Sequence, residues 1–385
     1  MKIISVVGAR PNFMKIAPFI EAINTYNLKN NRPIKHLLVH TGQHYDDRMS
    51  RAFFEQLEIP PADINLGVGS GSHAEQVGQT MIEFEKVVKT EKPDWIVVVG
   101  DVNAILACSV TAKKEHVLCC HIEAGLRSGD MDMPEEINRL VADRISDLLL
   151  TPDHISTENL RKEGVPESNI QFTGNIMIDT LEKNREKASM LGIKDIIRKN
   201  SIIQSSVDPE QLKADTFAVM TLHRPSNVDH QEVLGPIVRF MLDEVCQDMP
   251  LVWTLHPRTR KMLENSGLID DVMSRENLVL LEPLGYHEML KLNMNARIIL
   301  TDSGGLQEEC TVLGTPCLTL RWNTERPVTL LEHGGASVLV GNNINRIREE
   351  YRQALKRSRT PVRPELWDGK TAERCLKAIL EFKSG

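Results

Sequence analysis

Short, continuous apolar runs recur along this sequence, and each is followed by a glycine, a proline or a polar cluster and then by a segment with helical periodicity. Runs without alternation of apolar and polar residues are typical of strands buried on both faces, as in parallel sheets covered by helices. Strand and helix alternate throughout, which predicts an α/β doubly wound fold that is formed twice. The predicted strands are 3–7, 37–40, 95–99, 117–120, 148–150, 217–220, 251–255, 279–281, 298–300, 317–320 and 337–340.

The chain has 385 residues, which is too long for one ordinary core and suits two domains. We place the boundary after Asn175, because residues 181–214 are polar, lack strand signals and lead into a new strand. That stretch is predicted to be a linker with a helix that leads into the second domain. Pro361 and Pro364 interrupt the chain near its end, and Thr371 is the predicted N-cap of a last helix. The predicted divisions are 1–175, 176–364 and 365–385.

One helical segment after residue 133 has a periodic apolar pattern. Its predicted apolar face comprises Ile137, Leu140, Val141, Ile145 and Leu148. At the start of the same segment, Asp132 and Glu135 match a capping box with Pro134 between them. The capping role is therefore a direct alternative to any chemical role for Glu135.

Composition excludes several classes of function. Its 41% hydrophobic and 26% charged residues are ordinary for a globular protein, and the net charge of -7 gives no footprint for nucleic acid or anionic lipid. No segment has the length of a transmembrane helix, and the N-terminal apolar run is too short for a secretory signal. Seven scattered cysteines without a Cys-x-x-Cys pair predict buried, reduced thiols and a cytoplasmic protein. No metal site is expected, because no group of ligand residues has the required spacing.

Polar residues follow the predicted strands where ligands bind in doubly wound sheets. Arg10 and Lys15 come after the first strand, in a turn that is not the Gly-x-Gly-x-x-Gly dinucleotide fingerprint. Cations at a helix start oppose the helix dipole, so these two are expected to meet an anion. Gln43 and His44 follow the second strand.

Carboxylates follow the next two strands of the first half. Asp101 comes after the third strand, and His121 and Glu123 come at the end of the fourth. Polar groups at four such ends favour a functional site over independent surface positions. Other interpretations stay open: Asp101 as a helix N-cap, Glu123 as a buried helix-cap partner and His121 as an interior histidine.

In the second half, Ser303, Gly304 and Gly305 follow an apolar strand and precede a helix. Such small residues let backbone N–H groups approach a diphosphate, although an ordinary tight turn has the same composition. Glu309, in the following helix, is placed to accept hydrogen bonds from ribose hydroxyls. Two histidines follow neighbouring strands at the same sheet edge, His223 and His256.

Taken in order, these motifs span nearly the whole chain. They are Gly-Ala-Arg-Pro at 8–11 with Lys15, Thr-Gly-Gln-His at 41–44, Gly-Asp at 100–101, His-Ile-Glu-Ala-Gly-Leu-Arg at 121–127, Pro-Glu-Glu-Ile-Asn-Arg at 134–139, Gly-Asn at 174–175, His-Arg at 223–224, Asp-Ser-Gly-Gly-Leu-Gln-Glu-Glu at 302–309, Thr-Glu-Arg-Pro at 324–327 and Asp-Gly-Lys at 368–370. In this order and spacing they resemble the UDP-N-acetylglucosamine 2-epimerase family. The sequence departs from the family pattern at Asn12 and Val328, where the family usually has glutamate.

The resemblance implies a glycosyltransferase-B-type fold, with two Rossmann-like domains, a cleft between them and a C-terminal helix that crosses back to the first. It also implies a non-hydrolysing epimerase that interconverts UDP-N-acetylglucosamine and UDP-N-acetylmannosamine for cell-surface polysaccharide precursors. UDP is eliminated across C1 and C2 and then added back, without a nicotinamide or other cofactor. A homodimer is the assembly that the family suggests.

The residue roles follow from the same resemblance. Asp101, Glu123 and Glu135 are the matching catalytic carboxylates, and which is acid and which is base stays open. His223 completes the catalytic set. The expected contacts to UDP and sugar are Arg10, Lys15, Gln43, His44, Arg139, His256, Ser303, Gly304, Gly305, Glu309 and Arg326.

Three alternatives stay open. A hydrolysing epimerase would share the motifs but release free N-acetylmannosamine and UDP. A non-hydrolysing enzyme could act instead on a UDP-diacetamido-uronic acid. A third possibility, of another class, is a non-catalytic sensor of UDP-sugars, although the intact carboxylates argue against it.

Overall fold

The structure is a computed structural model that describes residues 1–42, 56–203 and 205–383, with only the backbone of residues 10 and 11. The chain divides into two compact units, Met1–Lys183 with Pro364–Gly385, and Asn184–Arg363. The division falls inside the helix Ile176–Ser189, a few residues beyond the expected position after Asn175. Each unit is a parallel sheet with helices, so the predicted α/β doubly wound class is confirmed.

Within the described residues, the sheet of the first unit contains seven strands in the order β3-β2-β1-β4-β5-β6-β7, all parallel. Its strands are β1 Lys2–Val7, β2 Lys35–His40, β3 Ile64–Asn65, β4 Trp95–Val99, β5 Leu118–Ile122, β6 Leu148–Thr151 and β7 Ile170–Phe172. Its helices are Arg10–Lys29, His73–Glu91, Asn103–Lys114, Pro134–Ile145, His154–Lys162, most of Ile176–Ser189 and Thr371–Glu381, with a 3₁₀ turn at Glu167–Asn169. The strand order reverses at β1 and β4, which is where doubly wound sheets place ligands.

The sheet of the second unit repeats this order with six parallel strands in the part of the chain that the structure describes, β10-β9-β8-β11-β12-β13. They are β8 Ala218–Leu222, β9 Leu251–Leu255, β10 Leu278–Leu281, β11 Ile298–Thr301, β12 Cys317–Thr319 and β13 Ser337–Leu339. The helices are Ile193–Asn200, Pro225–Val228, Gln231–Phe240, Pro257–Asn265, Ile269–Met273, Tyr286–Asn295, Gly304–Leu313 and Ile344–Ala354. A π-helical turn at Met241–Val245 and the turn Cys246–Asp248 extend the helix Gln231–Phe240. Short 3₁₀ turns lie at Pro209–Gln211, Pro327–Thr329 and Leu331–His333.

Burial on both faces explains the unbroken apolar runs. In β8, Ala218 and Met220 pack into one hydrophobic cluster, whereas Val219 packs into the cluster on the opposite face. The continuous apolar runs of the sequence did not predict β3 and β7, which lie at the two edges of the first sheet. These strands are short, and Asn65 and Gln171 are exposed, so neither forms an apolar run.

Residues 181–214, expected to be a linker with one helix, are largely helical. They include the end of Ile176–Ser189 and the whole of Ile193–Asn200. Ile196 and Ile197 are buried in the second unit, and the other residues of the shorter helix are polar or only partly buried. A helix with so narrow an apolar stripe resembles a linker in composition.

The C-terminal helix, Thr371–Glu381, belongs to the first unit and contacts the helix Arg10–Lys29. The prediction that Thr371 is the N-cap is wrong, because the cap position is Lys370, whose side chain makes no capping bond. Asp179 supplies the cap instead, since its carboxylate accepts from the backbone N–H of Thr371 at 3.0 Å and of Ala372 at 2.7 Å. The start of the last helix is therefore fixed by a residue far away in sequence.

The predicted apolar face of the helix Pro134–Ile145 is also wrong. Ile137 is 44% exposed, whereas the buried residues of this helix are Glu136, Asn138, Arg139, Ala142 and Asp143. Buried charges are tolerated when they are paired, as Glu136 is with Arg139 and Asp143 is with His121. No helix in the described part of the chain is both long and apolar enough to cross a membrane.

Candidate active site

The candidate carboxylates of the first unit lie at the carboxyl ends of β4 and β5 and at the start of the helix Pro134–Ile145. Asp101 follows β4, and its Oδ2 accepts a hydrogen bond from Arg139 at 2.6 Å. The Asp101 side chain is 22% exposed, whereas the Arg139 side chain is almost completely buried. Asp101 is therefore fixed from behind by a buried cation and open on its other side.

Glu123 is the most constrained of these carboxylates. Its φ of +71° is in the left-handed region, which a non-glycine residue rarely adopts and which costs about 1–3 kcal/mol. Its Oε2 forms an ion pair with Nζ of Lys15, and both side chains are buried. Its Oε1 is also buried and has no hydrogen-bond partner among the described residues. The paired ammonium replaces the helix cap considered from sequence, and one oxygen is left available for a ligand.

Gly100 is required beside this ion pair. Its φ is +77°, and a Cβ atom there would lie 3.0 Å from Nζ of Lys15 and 3.3 Å from Nδ2 of Asn12. Asn12 in turn accepts from the backbone N–H of Gly8 at 3.1 Å and donates to the carbonyl of Val99 at 2.7 Å. The ends of β1 and β4 are thus tied together around Lys15.

Glu135 does not belong to a capping box. The helix begins at Pro134, its N-cap is Met133, and no side chain caps it. The capping interpretation fails because proline occupies the first helical position and Asp132 lies one residue too early. The side chain of Glu135 is half-buried, and it makes no hydrogen bond or ion pair with any other residue that the structure describes.

The neighbouring Glu136 is the structural carboxylate of this helix. It accepts from the backbone N–H groups of Ser128 and Gly129, each at 3.0 Å, and pairs with Arg139. Arg139, a predicted substrate contact, therefore contacts two carboxylates, those of Asp101 and Glu136. Burial alone would raise the pKa of Glu136, but its hydrogen bonds from Ser128 and Arg139 hold that pKa below the usual value.

Asp143 and its partner His121 form a second buried pair behind the carboxylates, with Nδ1 of His121 2.6 Å from Oδ1 of Asp143. Sequence analysis did not select Asp143. The signal that could have found it is the spacing of Glu136, Arg139 and Asp143, which places three charged residues on one helical face. Three other predicted groups, the side chain of Arg10 together with Gln43 and His44, lie outside what the structure describes.

In the second unit, the fully buried Asp302 organises the turn after β11. Its carboxylate accepts from the backbone N–H of His223 at 3.0 Å and of Arg224 at 2.8 Å, and lies 2.8 Å from Nδ1 of His223. Burial alone would raise the pKa of Asp302, yet the hydrogen bond and charge of His223 hold it below the usual value. The His223 side chain is 41% exposed, and Nε2 makes no hydrogen bond with described residues. Nδ1 is held while Nε2 is accessible.

Ser303 is the N-cap of the helix Gly304–Leu313, and its side chain makes no capping bond. Gly304 is needed for close approach, since a Cβ atom there would lie 2.7 Å from Nη1 of Arg326. Residues 303–305 thus form a small-residue helix start after a strand, as expected for a diphosphate turn. His256 accepts from the backbone N–H of Arg258 at 3.2 Å, and its ring centroid is 5.5 Å from that of His223.

Glu309 and Arg326 are both buried in this structure. Burial raises the pKa of Glu309 to about 7, against the opposing effect of a hydrogen bond from Asn293. Arg326 pairs with Glu308 at 2.8 Å and with Glu325. Among the described residues no cluster of histidine, cysteine and carboxylate groups has the geometry to hold a metal ion.

The protein-family model described as UDP-N-acetylglucosamine 2-epimerase matches residues 26–380 of this chain. This chain belongs to the UDP-N-acetylglucosamine 2-epimerase family. It is 39% identical over 380 residues to the UDP-N-acetylglucosamine 2-epimerase of Methanocaldococcus jannaschii, covering 98% of this chain and 99% of that protein.

Solved structures and other relatives support the same family assignment. A crystal structure of the M. jannaschii enzyme in complex with UDP-GlcNAc and UDP matches with a TM-score of 0.87 at 39% identity and covers 99% of each chain. The UDP-2,3-diacetamido-2,3-dideoxy-D-glucuronate 2-epimerase of Pseudomonas aeruginosa is 37% identical over 92% of each chain. The predicted two-sheet architecture of the family is therefore confirmed for this chain.

Proposed function

We propose that this protein interconverts UDP-N-acetylglucosamine and UDP-N-acetylmannosamine without net hydrolysis. The observation that carries the proposal is the 39% identity, over nearly the whole chain, to a family member whose structure was solved with UDP-GlcNAc and UDP. The buried, unpaired Oε1 of Glu123 supports it, because such an oxygen needs a ligand to satisfy it.

The chemistry requires that UDP begins to leave before C2 loses its proton, since that proton becomes acidic only as C1 gains positive character. The C1–O bond to UDP breaks, a base takes the C2 proton, and a C1–C2 double bond forms. Protonation of C2 on the opposite face and return of UDP to C1 complete the inversion. An acid and a base on different faces are needed, together with stabilisation of the leaving diphosphate.

We assign the proton transfers to Asp101, Glu123 and Glu135. Asp101 and Glu123 are each held by a buried cation, whereas Glu135 has no ion pair among the described residues. Three carboxylates in three environments suit separate acid, base and charge-stabilising roles.

We assign UDP to the second unit. The backbone N–H groups at residues 303–305 and Nε2 of His223 suit the diphosphate, and Glu309 suits the ribose. In the first unit, Arg10, Lys15, Gln43, His44 and Arg139 are proposed substrate contacts. His256 and Arg326 are proposed contacts in the second unit.

A UDP-diacetamido-uronic acid is the second candidate substrate, because the P. aeruginosa relative named for that substrate is 37% identical. It shares the C1–C2 chemistry and differs at C3 and C6. Asp101, Glu123 and Glu135 would transfer protons at C2 of either sugar, so only a direct comparison of the two substrates separates the two candidate functions.

We further propose that the protein is a cytoplasmic homodimer that supplies precursors for cell-surface polysaccharide. Supporting the dimer is the half-exposed apolar side of the helix Pro134–Ile145, which includes Ile137. Supporting a reducing compartment, all seven cysteines are buried and free.

The proposed function is tested by incubating the purified protein with UDP-N-acetylglucosamine in deuterated water and following products by NMR. UDP-N-acetylmannosamine with deuterium at C2 is the expected product. Free N-acetylmannosamine with UDP would show a hydrolysing enzyme instead. Exclusive turnover of the diacetamido-uronic acid would favour the second candidate, and binding without turnover of either sugar would contradict epimerase function.

A further inference from the structure

A buried carboxylate, Asp143, lies at the centre of the groups that hold the candidate carboxylates of the first unit. Its Oδ2 accepts from the backbone N–H of Gly125 at 2.9 Å and from Nη1 of Arg127 at 2.7 Å. Its Oδ1 is paired with Nδ1 of His121 at 2.6 Å. The Asp143 side chain is 1% exposed, so these contacts are made away from water.

His121 carries the connection onward to the loop of Asp101. Its Nε2 lies 2.8 Å from the carbonyl oxygen of Gly100, and a carbonyl oxygen can only accept. Nδ1 faces a carboxylate, which also accepts when ionised. Both ring nitrogens of His121 therefore face acceptor oxygens, one in the loop that precedes Asp101 and one on Asp143. Although burial opposes ionisation, the charge and hydrogen bond of His121, with Arg127, hold the pKa of Asp143 below its usual value.

The contacts of Asp143 reach both loops that bear carboxylates. Gly100 directly precedes Asp101, and Gly125 is two residues after Glu123. Glu135 lies on the same helix as Asp143. One buried side chain thus bridges the ends of β4 and β5 to the helix of the third carboxylate.

The loop after β5 needs such an anchor because its backbone is strained. Glu123 has a φ of +71°, and Gly125, with a φ of +82°, has no room for a side chain, since a Cβ atom would lie 2.3 Å from the carbonyl oxygen of Ser156. A non-glycine residue in this region persists only where its surroundings hold it. The bond from Gly125 to Asp143 is one of those restraints.

We propose that Asp143 is a positioning residue for the epimerisation, which acts through His121 and Gly125 to fix Asp101 and Glu123 relative to Glu135. The proposal rests on the proposed function. Asp143 has no proposed contact with the substrate. Asp143 acts on the geometry of the groups that transfer protons.

The test is Asp143→Asn in the full-length protein. Asparagine has the same shape, but it is neutral and has one acceptor oxygen instead of two, so it loses the ion pair with Arg127 and one of the two oxygens that contact His121 and Gly125. We expect kcat to fall on the order of tenfold to a hundredfold, because small misplacements of catalytic groups have effects of this size. The KM and the affinity for UDP alone should stay within about twofold of wild type, since UDP is assigned to the second unit.

Asp147→Asn is the matched control. Asp147 lies just after the helix that contains Asp143, and it also accepts from a backbone N–H, that of Cys119 at 2.8 Å, and from a cation, Lys113, at 2.7 Å. These contacts lie at the amino end of the sheet, away from the carboxylates. The control should lower thermal stability and leave kcat unchanged, as a purely structural role at Asp143 would also do.

His121→Gln keeps the proposal testable if Asp143→Asn does not fold. Glutamine cannot span Asp143 and Gly100 in the geometry of the imidazole ring, so the same selective loss of kcat is expected. The kcat of the double variant should be no lower than that of the less active single variant, because both changes break the same bridge. Normal kcat in folded His121→Gln or Asp143→Asn overturns the positioning role while the proposed function stands. A wild-type protein without epimerase activity overturns both.

Discussion

The ammonium of Lys15 lies directly against one carboxylate oxygen of Glu123, and both side chains are nearly inaccessible to water. The anion expected near the start of the first helix is thus supplied by the protein itself in this structure. Breaking a buried ion pair from one side leaves an uncompensated charge, whereas breaking an exposed pair has little effect.

Lys15→Met should lower the free energy of unfolding by about 3–5 kcal/mol, because Glu123 would remain buried without its partner. Lys183→Met is the control, since Lys183 pairs with the exposed Glu21 at 2.8 Å and should contribute at most about 1 kcal/mol. Urea denaturation of both variants measures the difference. Adding Glu123→Gln to Lys15→Met should recover part of the loss; equal effects of the two lysine variants would contradict a buried pair.

A comparison of Glu135→Gln with Glu136→Gln should distinguish a catalytic role from a structural role at two adjacent positions of one helix. Glu135 has no capping contact, so its variant should keep the wild-type stability within about 0.5 kcal/mol and lose turnover on the order of a hundredfold. Glu136→Gln should lower stability, because charged hydrogen bonds from Ser128, Gly129 and Arg139 contribute roughly 1.5–3 kcal/mol each.

The measurements are turnover by NMR, deuterium incorporation at C2 and thermal denaturation. Near-normal turnover and exchange in Glu135→Gln would remove that residue from the catalytic set. Asp101→Asn and Glu123→Gln, measured in the same way, extend the comparison to the other carboxylates.

The sequence predicted best what depends on burial of apolar strands. The strand Trp95–Val99 is buried along its whole length, so its composition alone identifies it. Contacts between distant residues could not be predicted in this way. Lys15 and Glu123 are 108 positions apart, and their pairing depends on the order of β1, β4 and β5 in the sheet. Resemblance to a family selected both residues, but their mutual contact appears only in the structure.

The helix Pro134–Ile145 shows where hydrophobic pattern misleads. Its most apolar side includes Ile137, which is exposed, while Arg139 and Asp143 are buried. Apolar periodicity assumes that charged residues face water, and that assumption fails where charges neutralise one another at a site. A helix with an acidic and basic residue at three- and four-residue spacing therefore merits a second interpretation before its buried face is assigned.

Glu309 should release a proton when UDP binds. Burial raises its pKa to about 7, so about half of the molecules carry a neutral carboxyl group at that pH. If ribose hydroxyls donate to this group, binding favours the ionised form and the pKa falls. Calorimetry of UDP binding at pH 7 in buffers of different ionisation enthalpy should show release of up to about half a proton.

Glu309→Gln should abolish that release and weaken UDP binding by roughly 1.5–3 kcal/mol, the increment of a charged hydrogen bond. Glu332→Gln, a change at an exposed residue of the same unit, is the control and should leave both quantities unchanged. Proton release that persists in Glu309→Gln would assign it to another group.

Asp179 should make the stability of the first unit depend on pH. Burial raises its pKa from 3.8 to about 6, although the N–H groups of Ala372 and Thr371 that it caps act in the opposite direction. Between these pH values the folded protein binds more protons than the unfolded chain, so the contribution is fully present below about pH 4 and is lost as pH rises through about 6. Asp179→Asn should remove this slope, a difference on the order of 2–3 kcal/mol between pH 4 and pH 7.

Asp368→Asn, near the same helix start, is the opposing control for Asp179. The hydrogen bond from Arg374 lowers the pKa of Asp368, so its contribution is present at neutral pH and is lost as pH falls through the folded pKa. Chemical denaturation of wild type and both variants at several pH values between about 2 and 7 measures the slopes, with the Asp368 effect expected below about pH 4 and the Asp179 effect above it. The wild-type minus variant difference should decrease with pH for Asp179 and increase for Asp368. Slopes of the same sign would contradict burial as the source of the raised pKa, because a carboxylate stabilised mainly by capping would behave like Asp368.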